Sequence, residues 1–270
     1  MLGKCIKNEI VNRYKPLLLA YIVELVYSPI YYMLAQIQPH ITNNYIGMLV
    51  ILLRIMWVFI NLGVLGVVFI YPLVDFRNRM FKDQGYLTNT LPVKTSTLMI
   101  SRAITDILTY ISAAIVIPFA SCIAAMDFSI YRDVAHYISD FTDSFGMRVS
   151  PATIITFIIL IGVVILASTM ISQWMFNAAY AFGHSFSNNK RAMSVVGMIL
   201  IYLIFQVIGV IFIYILSETG IASEVVFNGL DNNIKAANNF LAIISVFEVI
   251  SSIGCIALTG WIVKNKLNLE

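Results

Sequence analysis

The sequence predicts an all-α polytopic membrane protein with six transmembrane helices and cytoplasmic N- and C-termini. Three observations predict it. Of 270 residues, 60% are hydrophobic and 11% charged, with a mean hydropathy of +0.87, which leaves too little polar surface to cover a soluble globule. Six apolar runs, at 17–38, 46–74, 103–126, 151–176, 195–217 and 240–263, reach the roughly 20 residues a helix needs to cross a ~30 Å hydrocarbon layer. Thirteen of the 17 Lys and Arg residues fall in alternate connections, and the positive-inside rule puts those connections in the cytoplasm. Lipid cannot satisfy backbone polar groups, so a spanning run pairs them internally as a helix; the ten-residue alternation of a barrel strand is absent. The chain reads as one transmembrane domain over 1–270. Its net charge of +3 is a consequence of topology: the partner it implies is membrane lipid, with no nucleic acid.

Residues 1–16 carry Lys4, Lys7, Arg13 and Lys15. Leu2, Ile6, Ile10 and Tyr14 recur every four positions opposite Lys4, Lys7, Asn8 and Lys15, the pattern of an interfacial amphipathic helix on the inner membrane surface; a frayed polar tail is the other reading. The charges continue to Lys15 and the apolar run then reaches spanning length, unlike a cleavable signal. Pro16 opens the first span and Pro29 lies inside it, as Pro118 does in the third, where each is expected to kink the helix. Residues 39–45 make a short outer turn. Residues 127–150 form a longer outer loop ending in Ser150-Pro151, an N-cap followed by proline at the first helical position. The outer segment 218–239 is acidic on balance. Cys122 and Cys255 lie in apolar runs and Cys5 on the inner side, so no disulfide framework is implied.

No phosphate-binding Gly-x-x-x-x-Gly-Lys-Ser/Thr loop occurs, and no connection is long enough to hold a nucleotide-binding domain. His40, His136 and His184 show no metal-ligand spacing, and neither a nucleophile elbow nor a His-Glu-x-x-His helix is present. No catalytic residues, metal site or bound cofactor are therefore expected, and the chain does not read as an enzyme.

The most distinctive stretch is the charged, turn-rich island at 75–102, which carries Arg77, Arg79, Lys82, Lys94 and Arg102. Phe76, Met80 and Phe81 share one helical face and Arg77, Arg79, Lys82 and Asp83 take the other; Gln84 follows and Gly85 supplies a left-handed cap. Pro92 forces Leu91 out of helical geometry, and Thr95 or Ser96 is placed to cap the next helix. Read locally, the island is either a short lever whose apolar face anchors in the bundle or a solvated loop that sets topology. Phe81-Lys82-Asp83-Gln84-Gly85-Tyr86-Leu87-Thr88-Asn89-Thr90-Leu91-Pro92-Val93 resembles the stretch after the coupling helix in bacterial ABC-2 type transporter permeases, especially the short six-span proteins of Gram-positive bacteria. The Lys264-Asn265-Lys266-Leu267-Asn268-Leu269-Glu270 ending is similar to the tail of the same group.

That resemblance implies a bacterial plasma-membrane exporter subunit that pairs with a second permease chain, identical or related. It would dock two copies of a cytoplasmic ABC ATPase, which hold ATP and Mg. Residues 76–84 would be the coupling helix, 2–14 the connecting helix and 218–239 short re-entrant helices closing the outer end. The expected cargo is an antimicrobial or toxic peptide or another amphipathic molecule. The alternative class is a membrane scaffold or sensor subunit whose island docks a signalling partner.

Charges inside spans call for a role by default, because each costs a few kcal/mol to insert. At 1.5 Å per residue, Arg54 lies roughly 9 Å and Glu248 roughly 5 Å outward of their span centres. These depths predict a bridge, with a polar path including Asn61, Gln173, Asn177 and Gln206 as the competing reading. Glu24 lies in the inner half of span one. Asp75, Asp83 and Asp106 are expected to pair with Arg77, Arg79 and Arg102.

Overall fold

The computed structural model describes residues 2–41, 43–81, 93–125, 151–218 and 230–266. Six long helices account for nearly all of them: α1 (Leu2–Ile37), α2 (Asn44–Phe81), α3 (Thr95–Ala125), α4 (Pro151–Gly183), α5 (Lys190–Glu218) and α6 (Leu230–Lys266). A 3₁₀ turn, Gln38–His40, follows α1. All six are long and apolar enough to cross a membrane, and no strand occurs among the described residues. The fold is an all-α polytopic membrane protein. Its helices divide into two compact units, residues 1–74 with 101–132 and residues 75–100 with 133–270.

The helix ends follow local chemistry. Asn43 caps α2, its Oδ1 accepting from the Tyr45 N–H at 2.9 Å, and Pro151 opens α4 where its missing N–H costs nothing. Helix α3 already starts at Thr95, so Lys94 takes the capping position and its carbonyl accepts from Thr97 at 2.9 Å. Between α4 and α5, Asn189 adopts φ 54°, a left-handed geometry that Asn tolerates better than most residues. Gly183 permits close approach: a Cβ there would sit 1.9 Å from Ser194 Oγ and 2.6 Å from the Lys190 carbonyl.

In the first unit, α1 runs unbroken through the expected boundary at Pro16. Its buried residues, Glu9, Arg13, Leu17, Ala20, Glu24 and Ser28, recur every three or four positions as one stripe, while Ile10, Leu18, Ile22 and Val26 are exposed. The separate interfacial helix over 1–16 is thus replaced by the first four turns of α1, because Glu9 and Arg13 turn inward to α3 rather than towards water. Pro16 leaves the Asn12 carbonyl without its helical donor, and the Tyr71 hydroxyl of α2 donates to that carbonyl at 3.4 Å.

In the second unit, α4 packs on both α5 and α6. Phe212 of α5 stacks on Phe247 of α6 with centroids 4.1 Å apart, and Asn238 of α6 donates to the Thr153 carbonyl at 3.2 Å. The final turns of α2, from Asp75, also belong here. Residues 230–239, expected within a re-entrant hairpin, are the opening turns of α6; residues 219–229 lie outside the described residues, as does the loop 127–150.

The Tyr71 contact is testable by a double-mutant cycle. Tyr71→Phe should lower unfolding stability in mixed micelles by about 0.5–1 kcal/mol, and in a Pro16→Ala background, where position 16 supplies its own backbone N–H, the loss should vanish. Equal losses in both backgrounds would show that the hydroxyl acts elsewhere.

Candidate functional site

The polar side chains of the first unit converge where α1 meets α3. Arg13 donates through Nη1 to Asp106 Oδ1, Glu9 Oε2 lies 3.8 Å from Arg13 Nη2, and Glu9 Oε1 lies 3.4 Å from Arg102 Nε. All four side chains are buried. Two guanidinium groups thus balance two carboxylates, the condition under which charge is tolerated out of water. Around them Ser101, Thr105 and Thr109 are buried on the same helix, and Tyr21 and Ser112 share a hydrogen bond of 2.9 Å. A cavity of about 280 Å³ opens beside this network, its polar wall formed by Arg13, Tyr14, Tyr21, Thr105, Thr109 and Ser112. Asp106, expected to pair with Arg102, therefore has Arg13 as a partner. The signal that finds this cluster is the Glu9/Arg13 spacing of four on α1, which an interfacial reading of residues 1–16 obscures.

Farther along α1, Glu24 is fully buried, and neither carboxylate oxygen has a hydrogen-bond partner among the described residues. Arg54 lies in the same unit and is held by neutral groups: its guanidinium donates to Gln38 Oε1 and to the Tyr31 hydroxyl at 3.2 Å. It also sits 5.2 Å from the Tyr31 ring centroid. Tyr31 leans on Trp57 at 5.6 Å. Asn61 turns back to the Trp57 carbonyl at 2.8 Å.

Within the second unit, Glu248 accepts from Ser168 at 2.6 Å. Arg54 belongs to the first unit and Glu248 to the second, and within its own unit each has neutral partners: Gln38 and Tyr31 for Arg54, Ser168 for Glu248. Gln173 and Asn177 are buried on α4, whereas Gln206 is exposed on α5 and bonds Tyr202 at 2.7 Å.

The island is the site at which sequence and geometry agree most closely. Phe76 and Met80 are buried and Phe81 is half-buried, the face that the spacing assigns. Phe76 meets Trp174 edge-on at 6.1 Å, and Phe81 meets Tyr180 at 5.4 Å and His184 at 4.6 Å. On the other face Arg79 pairs with Asp75 at 2.7 Å. Arg77 lies over the Tyr180 ring at 5.4 Å, so it is drawn onto α4 rather than presented wholly to water. Residues 76–81 are the unbroken end of α2, with no separate short helix. Lys82, Asp83, Gln84 and Gly85 lie outside the described residues.

His184, just past the end of α4, donates from Nδ1 to the Tyr180 carbonyl at 3.0 Å and stacks on the Tyr180 ring at 4.4 Å. Burial holds its imidazole below the ordinary range; the Tyr180 carbonyl opposes this, and the Lys190 and Arg77 cations add to it. No group of three or more His, Cys, Asp or Glu side chains able to hold a metal occurs among the described residues.

Fold and site together define a multi-pass α-helical membrane protein with buried, charge-balanced helix contacts and a basic, aromatic-anchored helix end. No family model, curated protein or solved structure matches the chain.

Two measurements check the electrostatics. Arg13→Leu or Asp106→Leu alone should cost about 3–5 kcal/mol by stranding a buried charge, whereas the double substitution should cost less than either, leaving Glu9 and Arg102 balanced; additive losses would show that the two side chains are independent. For His184, the unfolded chain takes up a proton near pH 6.5 and the folded chain only at lower pH. Its contribution is therefore complete above that value and is lost as pH falls through the depressed one. His184→Phe should flatten the decline in melting temperature below about pH 6.5; an unchanged slope would place the titrating group elsewhere.

Proposed function

We propose that this chain is the permease subunit of an ATP-driven exporter of the ABC-2 type. In this reading it does no chemistry itself. It pairs with a second permease chain in the bacterial plasma membrane, and two cytoplasmic ATPases supply ATP and Mg. The exposed span faces are almost wholly apolar, which favours an amphipathic cargo such as an antimicrobial or toxic peptide over a small ion.

One observation carries the reading. At 38 residues, α2 is roughly 57 Å long at 1.5 Å per residue, well beyond a ~30 Å hydrocarbon layer, and its basic end is clamped to α4 through Phe76 and Phe81. A push on that end has no intervening hinge and is delivered to α4 directly. The sequence continuing from it, Lys82 to Val93, is the stretch that resembles the permease family. Because Phe76 and Met80 are buried, the docking surface is assigned to Arg79 and the residues from Lys82 to Gly85, with the aromatic face serving as anchor.

The test is to purify the chain from its native membranes in mild detergent and identify what accompanies it. A phosphate-loop ATPase should be retained, and the double substitution Lys82→Glu with Asp83→Lys should release it without changing the melting temperature of the chain. If no ATPase is retained, or the charge reversal leaves its retention unaltered, the exporter reading fails and the scaffold or sensor reading takes its place.

A further inference from the structure

Two apolar cavities flank the last turns of α6 within the second unit, and Trp261 lines both. The first, of about 540 Å³, is walled by Phe182, Leu200, Ile204 and Leu258, with Ser185 and Lys266 as its polar members. The second, of about 430 Å³, is walled by Met99, Ile100, Ile253 and Ile256, with Thr95, Ser96 and Lys264 as its polar members. Helical geometry explains the arrangement. At 3.6 residues per turn, Lys264 lies roughly 60° to one side of Trp261 and Lys266 roughly 140° to the other, so Trp261 forms a ridge with one lysine beside each groove.

We propose that this end of α6 binds an anionic diacyl phospholipid, with one acyl chain in each groove astride Trp261 and the phosphate between Lys264 and Lys266. Three features select the ligand. Both grooves are apolar below a polar rim, and two grooves under one basic rim match two chains under one headgroup. Trp261 is 55% exposed, as befits an indole at the boundary of hydrocarbon and headgroups. The rim is cationic: among the described residues no Asp or Glu lines either cavity, and neither lysine has an ion-pair partner. Thr95 and Ser96 also bring the first turn of α3 to the second groove, adding hydroxyls and the positive end of a 31-residue helix. The long lysine side chains reach the phosphate while their stems stay on apolar wall.

The experiment is native mass spectrometry of the purified full chain with added phosphatidylglycerol or phosphatidylcholine of identical acyl composition. At roughly fivefold per lysine near an anionic headgroup, phosphatidylglycerol should bind some ten- to thirtyfold more tightly. Lys264→Gln with Lys266→Gln should remove that preference while leaving phosphatidylcholine binding intact, and Lys264→Arg with Lys266→Arg should keep it, which separates charge from folding. Ala257→Trp, which fills the groove on the Met99 side, should weaken phosphatidylglycerol but spare its single-chain lyso form. Glycerol phosphate and inorganic phosphate, which lack chains, should neither bind nor compete. Equal binding of the two lipids, retention of the preference after both glutamine substitutions, or competition by free phosphate would overturn the proposal.

Discussion

The constraint on which the first unit depends is charge neutrality in a place that water does not reach. Helix α1 buries Glu9, Arg13, Glu24 and Ser28 along one stripe and turns its aliphatic side chains outward, inverting the usual arrangement of a water-soluble helix. Its charged pair Glu9 and Arg13 is tolerable only against a partner of matching charge, which α3 supplies as Arg102 and Asp106. The network fixes both azimuth and register: a rotation of α1 by one residue would place Glu9 and Arg13 against lipid, at several kcal/mol each. It also explains why Pro16 does not end the helix. The pull on residues 9 and 13 keeps the chain helical across the proline, and the lost backbone bond has a substitute donor in Tyr71.

The second unit is organised by packing instead. Helix α4 meets α5 closely at Gly183, where any side chain would strike backbone, and meets the end of α2 through a ladder of aromatic rings from Trp174 to His184. Rings held edge-on or stacked at about 4–6 Å resist shear better than aliphatic contacts do, and Trp174 is entirely buried. Helix α2 therefore ends against α4 at its buried Trp174, and α6 packs on the same helix. The two features to which partners are assigned, the basic end of α2 and the lysine-rimmed end of α6, share α4 as their support.

Hydropathy makes the six helices legible because span length and apolarity are properties of contiguous sequence. Helix ends are less so. Residues 2–16 and 75–81 carry charges that a window average reads as an end, yet Arg13 is neutralised by Asp106 across 93 positions and Arg79 by Asp75 within one turn. Period also serves well locally: the spacing of Phe76, Met80 and Phe81 identifies the face that packs on α4. For Arg54 and Glu248 the sequence supplies depth in the bilayer alone, one coordinate that says nothing of the azimuth of each side chain or of the neutral groups beside it. Neutral partners such as Gln38, Tyr31 and Ser168 leave no charge pattern from which to infer them.

On the exporter reading proposed above, a subunit that transmits force needs stiffness where it is pushed and compliance where it moves. In this chain the anchored element is the end of α2 past Pro72, residues 75–81, held by buried aromatic contacts to Trp174 and Tyr180 more than by exposed ion pairs, which salt would weaken. The polar network of α1 and α3 is of a different kind, long-range in sequence and brittle towards the loss of a single charge. Loss of one ring on α4 forfeits packing alone, whereas loss of one partner of the Arg13–Asp106 contact strands a buried charge. The two units thus differ in the kind of cohesion each relies on, buried charge pairs in the first and aromatic packing in the second.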